Sequence, residues 1–176
     1  MRKTAFRAVA VLALLSATSV QAAQASKPCM TRDEVHGMVA YFSPSLLQSA
    51  MDKCAPQLGQ EAYLASRGPA YVAQLREGQA SSWPAASKAF AKLGGGKDAE
   101  GIALFASLPE EAVRPMVEAI IAQKLAPEIK PRMCSDIDRI LATIEPLPAR
   151  NLIDFVTEII VLAGKEDKDI NVCLAG

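Results

Sequence analysis

A single histidine, His36, is the only imidazole in this chain that could act as a general base. It follows Asp33 by three residues and lies beside the apolar face of a helix predicted to begin after Thr31. Acid–base catalysis by histidine also needs a nucleophile or an orienting partner, and the sequence indicates neither. We therefore interpret His36 as a surface or boundary residue of that helix.

Paired carboxylates are a second arrangement that could support acid–base chemistry, for example in a glycosidase. Three such pairs occur: Asp33-Glu34, Glu110-Glu111 and Asp136-x-Asp138. Each pair falls in the first turn of a predicted helix, where the helix dipole stabilises negative charge. Helix capping therefore accounts for the pairs without catalysis, and the chain is predicted not to be an enzyme.

The segment LGGGKD, residues 93–98, superficially resembles a phosphate-binding loop. That loop needs a leading glycine at a fixed spacing and a Ser or Thr after the lysine to hold magnesium. This chain lacks that glycine and has Asp98 after Lys97. We interpret the segment as a flexible linker and predict no cofactor.

Four cysteines could bind zinc, carry thiol redox chemistry or form disulfides: Cys29, Cys54, Cys134 and Cys173. They are far apart and form no C-x-x-C pair, which disfavours both a zinc site and a redox site. An even number of cysteines in an exported protein favours two disulfides, although spacing alone leaves three pairings open.

The N-terminus predicts export. A basic start, the apolar run AVAVLALLSA and small residues up to Ala25 are typical of a signal peptide over residues 1–25, with cleavage after Ala22 as the alternative. We expect a periplasmic or secreted protein with a single domain over residues 26–176.

Cleavage of the signal peptide would remove three of the 19 basic residues, leaving 16 against 19 acidic residues. This mildly acidic balance argues against a nucleic-acid partner.

The cysteines belong to two predicted helical hairpins. At the first, Thr31 and Glu34 form a capping box, and Ser43-Pro44 is predicted to end one helix and begin the next. Antiparallel helices would bring Cys29 beside Cys54, so this pairing is predicted. At the other end, Ser135 is predicted to cap a helix and Pro146 and Pro148 to make the turn.

The C-terminal hairpin predicts a Cys134–Cys173 disulfide. The second helix of this hairpin is predicted to span Asn151 to Ala163. The apolar residues of that helix cover so wide a face that we expect it to be the central core helix. They are Leu152, Phe155, Val156, Ile159, Ile160 and Leu162.

The middle of the chain predicts shorter helices, with Tyr71, Val72 and Leu75 pointing inward. Tyr63, Tyr71 and Trp83 cluster there, and amphipathic aromatic rings are enriched at binding surfaces. Core filling is the alternative for these three rings and the one we favour, because aromatic residues make up only 5% of the chain.

The layout resembles small uncharacterised exported all-α proteins of Gram-negative bacteria, a resemblance that carries no functional residues. The fold predicted from the residues is all-α: an irregular bundle of about six to eight helices with two disulfide-sealed hairpins. The function predicted first is that of a non-enzymatic protein that binds another envelope protein, such as an inhibitor, an immunity-type factor or an accessory protein. The alternative is a carrier of a lipid or other apolar ligand between helices, suggested by the high aliphatic content.

Overall fold

Seven α-helices account for most of the chain that the computed structural model describes, namely residues 28–94, 108–164 and 171–173. The helices are α1 (Arg32–Cys54), α2 (Tyr63–Ser66), α3 (Gly68–Glu77), α4 (Gln79–Gly94), α5 (Glu110–Leu125), α6 (Cys134–Ile144) and α7 (Ala149–Ala163). Short 3₁₀ turns occupy Ala55–Gln57, Ala126–Glu128 and Pro131–Met133. The predicted all-α bundle is confirmed, and seven helices lie within the expected range.

Some predictions concern residues that lie outside these described ranges. The signal peptide over 1–25 and residues 95–98 of the predicted linker lie outside the described residues. The single domain over 26–176 stays a prediction.

The start of α1 is the capping box that the sequence predicts. The Thr31 backbone N–H donates to Glu34 Oε2 at 2.8 Å, and the Glu34 N–H donates to Thr31 Oγ1 at 3.2 Å. Met30 precedes the cap and Val35 follows it in sequence, and both are buried in the same core cluster. These bonds satisfy two backbone donors that the first helical turn would otherwise leave unpaired.

Pro44 does not divide the helix, so the prediction of two helices at Ser43-Pro44 is wrong. Pro44 lies inside α1, which runs for 23 residues. A proline inside a helix costs about 3 kcal/mol, but side chains on both sides of this one are buried, among them Phe42 and Leu47. The burial of α1 along its whole length stabilises the continuous helix.

The continuous helix also makes the predicted Cys29–Cys54 disulfide wrong. At a rise of 1.5 Å per residue, a helix of this length separates its ends by about 35 Å, whereas disulfide-bonded Cα atoms lie within about 7 Å of each other. Cys29 instead bonds to Cys173, with a Cα–Cα distance of 4.9 Å. Cys54 bonds to Cys134, with a Cα–Cα distance of 5.3 Å.

The predicted Cys134–Cys173 disulfide is wrong for a related reason. Its two cysteines lie at opposite ends of α1, because Cys134 at the start of α6 meets the C-terminal end of α1. Residues 171–173 return instead to the N-terminal end of α1. There the Met30 N–H donates to Asn171 O at 2.7 Å, and the Cys173 N–H donates to Met30 O at 2.8 Å. Each disulfide therefore joins distant parts of the chain rather than closing a hairpin.

The central helix is α1 and not α7, so the prediction that the helix over Asn151 to Ala163 is central is also wrong. Helices α3, α4, α5 and α7 all pack against α1. On α7, Ile153 and Thr157 are buried against the bundle, whereas Phe155, Ile159 and Leu162 are 56%, 49% and 60% exposed. The apolar face of α7 is thus wider than the surface that the bundle covers.

Candidate functional site

An apolar cavity of about 500 Å³ lies between helices α1, α4, α5 and α7. Its α1 side consists of Met38, Val39, Phe42, Ser43 and Leu46. The other three helices contribute Phe90, Leu93, Ile121, Leu125, Val156 and Ile160. The cavity is partly open to solvent, and two of its lining residues, Leu46 and Leu93, are 39% and 50% exposed. We call this space the apolar cavity.

Helical spacing places the lining side chains on one face of each helix. Phe90 and Leu93 are three residues apart on α4, Ile121 and Leu125 are four apart on α5, and Val156 and Ile160 are four apart on α7. Residues three or four apart lie on the same face of a helix. Four such faces converge without filling the space between them, and this leaves the cavity.

The lining offers almost no polar partner to a ligand. Ser43 is the one polar residue among the lining side chains. Its hydroxyl donates to the Val39 carbonyl oxygen at 2.5 Å, which is a bond within α1. A ligand inside the cavity would therefore be held by apolar contacts, and its polar or charged groups would have to stay at the mouth.

Lys92 fixes the α4 wall of the cavity against the start of α1. Its Nζ donates to the Cys29 carbonyl oxygen at 2.9 Å and to Glu34 Oε2 at 2.6 Å. Burial alone would raise the pKa of the Glu34 carboxyl, but the bonds from Lys92 and from the Thr31 backbone outweigh burial and lower it below its ordinary value. The adjacent residue, Leu93, lines the cavity.

A second buried cluster lies where α1, α4 and α5 meet. Tyr41 donates a hydrogen bond from its hydroxyl to Glu118 Oε1 at 2.7 Å, and its ring lies 4.9 Å from that of Trp83. The Arg114 guanidinium lies 5.5 Å from the centre of the Trp83 ring. Burial, followed by the bond to Glu118, raises the pKa of Tyr41 well above its usual range. These contacts join three helices and leave the phenol protonated.

The three aromatic residues proposed as a binding surface are buried. Tyr63, Tyr71 and Trp83 are only 7%, 3% and 5% exposed. They therefore do not form an exposed surface, and the alternative of core filling describes them correctly. Tyr71, with Val72 and Leu75, points inward as the helical periodicity predicts.

His36 lies near the surface, where α1 passes α7. Its Nε2 is 3.1 Å from Asp154 Oδ1, and the two side chains are 37% and 50% exposed. Sequence reasoning placed Asp33 near His36 and missed Asp154, which is more than a hundred residues away. Neither His36 nor Asp154 lines the apolar cavity.

The carboxylates of the three pairs have both local and distant partners. Glu110 and Asp136 pair with arginines on their own helices, Arg114 and Arg139. The predicted Ser135 cap is wrong, because α6 begins at Cys134 without a side-chain cap. Asp138 Oδ1 instead accepts a hydrogen bond from the Leu64 N–H at 2.7 Å, in the first turn of α2.

Metal ligation has no support in the described ranges, where no three His, Cys, Asp or Glu side chains come together as a ligand set. Across those same ranges no helix is both long enough and apolar enough to cross a membrane.

Sequence reasoning missed the lining residues of the apolar cavity as a group. Their helical periodicity is the same whether a face packs fully or borders a cavity.

The comparisons with known proteins leave the apolar cavity as the main guide to function. When the chain is compared with protein-family models, with curated proteins and with solved structures, none of the three comparisons finds a match.

Proposed function

We propose that this protein is an exported, non-enzymatic carrier that binds a lipid or another apolar ligand in the apolar cavity. The observation that carries the proposal is the cavity itself, about 500 Å³ in volume and lined by apolar side chains except for Ser43. Ligand pockets in proteins typically measure about 300–1,000 Å³ and are mostly apolar. The ligand class that fits is a molecule with one hydrocarbon chain or ring system and a polar end that remains in water.

The hydrophobic effect supplies enough free energy for such binding. Each buried methylene contributes about 0.8 kcal/mol. A chain that buries about ten methylenes gains roughly 8 kcal/mol before the cost of association is subtracted. We therefore expect dissociation constants between about 1 µM and 1 mM for simple apolar probes.

Export to the periplasm or the extracellular medium is part of the proposal. The predicted signal peptide over residues 1–25 supports it, and so do two disulfides, which persist in oxidising compartments. A carrier of apolar molecules is useful in such a compartment, because its ligands have low solubility in water.

Titration with the fluorescent apolar probe N-phenyl-1-naphthylamine tests the proposal. Leu46 lines the cavity and is partly exposed, so Leu46→Asp would place a charge at the cavity without burying it fully. Leu162→Asp is the matched control, since Leu162 is exposed on α7 and does not line the cavity.

We expect the wild-type protein to bind the probe. Leu46→Asp should weaken binding about tenfold, a change of about 1.4 kcal/mol in binding free energy. Leu162→Asp should bind the probe like the wild type. Native mass spectrometry of the purified protein would reveal any ligand that remains bound. A wild-type protein that neither binds the probe nor carries a ligand would contradict the proposal. Equal effects of the two substitutions would contradict the assignment to this cavity.

The outer face of α7 favours a second function. In this second proposal the protein binds another envelope protein, as an inhibitor, an immunity-type factor or an accessory protein. Phe155, Ile159 and Leu162 are exposed there with the spacing i, i+4 and i+7, the pattern by which an amphipathic helix meets a partner. A pull-down from envelope extract should recover a partner with the wild-type protein and lose it with Phe155→Ser/Ile159→Ser. Recovery of no partner by the wild-type protein would argue against this function.

A further inference from the structure

The two disulfides differ in their access to solvent. Cys54 and Cys134 are 0% and 2% exposed, whereas Cys29 and Cys173 are both partly exposed. Thiol–disulfide exchange requires a thiolate to reach a sulfur atom of the disulfide. Cys29–Cys173 is therefore the more accessible of the two disulfides to an external reductant, and Cys54–Cys134 is the better protected.

The accessible disulfide is connected to the apolar cavity through a short series of contacts. Cys29 is held in place by its bond to Cys173, and the Cys29 carbonyl oxygen accepts a hydrogen bond from Lys92 Nζ at 2.9 Å. Lys92 belongs to the last turns of α4, whose Phe90 and Leu93 form one wall of the cavity. The same lysine contacts Glu34 at 2.6 Å, so this anchor is a charge-assisted hydrogen bond in partly buried surroundings.

We propose that Cys29–Cys173 is a redox latch on the apolar cavity: the closed disulfide holds the α4 wall in its binding position, and reduction of the disulfide lowers affinity for the apolar ligand. This inference rests on the proposed function, because it concerns the regulation of the same cavity. When the bond opens, the covalent link between Cys29 and Cys173 is lost, and the backbone hydrogen bonds of Met30 to Asn171 and Cys173 still hold the segment. The Cys29 carbonyl that anchors Lys92 is then held less firmly. The end of α4 then moves more freely, and the ligand must order it on binding, which reduces affinity.

The reductant required is a dithiol. One thiolate of the dithiol attacks one sulfur of Cys29–Cys173, the protein disulfide breaks, and a mixed disulfide forms. The second thiol of the reductant then displaces the remaining protein thiol. Two electrons and two protons pass to the protein, leaving free thiols at Cys29 and Cys173 and a disulfide in the oxidised reductant.

The test compares probe binding before and after selective reduction of the full mature chain. Dithiothreitol is titrated until iodoacetamide labels Cys29 and Cys173 while mass spectrometry still finds Cys54 joined to Cys134. The probe is N-phenyl-1-naphthylamine. We expect its dissociation constant to rise about tenfold on reduction, the change expected from losing one charge-assisted hydrogen bond that orders the wall.

The substitution Lys92→Met distinguishes two reasons for weaker probe binding after reduction, namely loss of the latch and a general loss of stability. The substitution keeps most of the aliphatic side chain but removes the ammonium that reaches Cys29 and Glu34. In the oxidised protein it should weaken probe binding to a similar extent, and reduction should then have little further effect, because both changes break one connection. Lys88→Met, at an exposed position on the same helix, is the control and should retain the full response to reduction.

The outcomes distinguish the latch from the proposed function. Absence of probe binding in the oxidised wild-type protein would overturn both. Probe binding that is the same before and after selective reduction would overturn the latch and leave the carrier function standing. The latch would also be overturned if dithiothreitol opened Cys54–Cys134 first, or if reduction weakened binding in Lys92→Met as much as in the wild-type protein.

Discussion

Cys54, the last residue of α1, lies with its Cα atom 5.3 Å from that of Cys134, although 80 residues separate them in sequence. Cys54 is fully buried and Cys134 is 2% exposed. The disulfide therefore joins the central helix directly to the start of α6 inside the core. A bond that closes so long a loop removes much of the conformational entropy of the unfolded chain.

The disulfide pairing gives the first prediction. A non-reducing peptide map should recover Cys29 linked to Cys173 and Cys54 linked to Cys134. The double substitution Cys54→Ala/Cys134→Ala should lower the free energy of unfolding by about 4 kcal/mol, the value expected for a loop of this length. Urea denaturation measures this change. A peptide containing Cys29 linked to Cys54 would disprove the structure of α1.

The close approach of α1 and α4 at Gly37 gives the second prediction. A Cβ atom added to Gly37 would lie 2.4 Å from Ala85 Cβ and 3.0 Å from Ala86 N. Gly37→Ala should therefore destabilise the protein by about 1–3 kcal/mol through overpacking, even though alanine favours helix formation. Gly78→Ala is the control, because a Cβ atom there would meet no atom within 4 Å. Thermal unfolding of both variants should show a lower midpoint for Gly37→Ala only.

The pH dependence of stability gives the third prediction. The pKa of Glu34 is lowered in the folded protein, from an ordinary value of 4.5, because the bonds from Lys92 and Thr31 outweigh the effect of burial. Its contribution to stability is thus fully present above that ordinary value and is lost as the pH falls through the lowered pKa.

Glu34→Gln should therefore cost about 1–2 kcal/mol at pH 7 and less at pH 3. Urea denaturation at the two pH values measures the difference. Glu111→Gln, at an exposed position in the first turn of α5, should change stability by less than about 0.5 kcal/mol at either pH. A cost of Glu34→Gln that grows on acidification would contradict the role assigned to this carboxylate.

The two faces of α7 give the fourth prediction. Ile153 is 9% exposed and Phe155 is 56% exposed. Ile153→Ala should reduce the free energy of unfolding by about 2–5 kcal/mol, whereas Phe155→Ser should change it by less than about 1 kcal/mol. Chemical denaturation distinguishes these outcomes. A larger loss from Phe155→Ser would indicate that the outer face of α7 is buried in solution.

Local sequence signals determined much of this protein. The capping box of Thr31 and Glu34 involves residues three apart, and its two hydrogen bonds occur as predicted. The inward positions of Tyr71, Val72 and Leu75 follow from helical periodicity. The all-α class and the use of the four cysteines in disulfides also follow from the sequence, because each depends on composition or on spacing along one helix.

Other features depended on contacts between distant residues. Pro44 is a strong local signal for a helix end, but burial of α1 on both sides of it outweighs the local cost. His36 meets Asp154 and not the nearby Asp33. Neither the continuous helix at Pro44 nor the His36–Asp154 pair can be derived from residue types, because each depends on the packing of one helix against another.

The sequence by itself determined the all-α class, the capping box at the start of α1 and the use of the cysteines in disulfides, but not that α1 continues through Pro44. Only the tertiary structure decided that Cys29 meets Cys173, that Cys54 meets Cys134, and that four apolar faces leave a cavity between them. The physical reason is one of range. Capping and periodicity act within one or two helical turns, whereas disulfide pairing and cavity formation depend on how rigid helices of fixed length fit together.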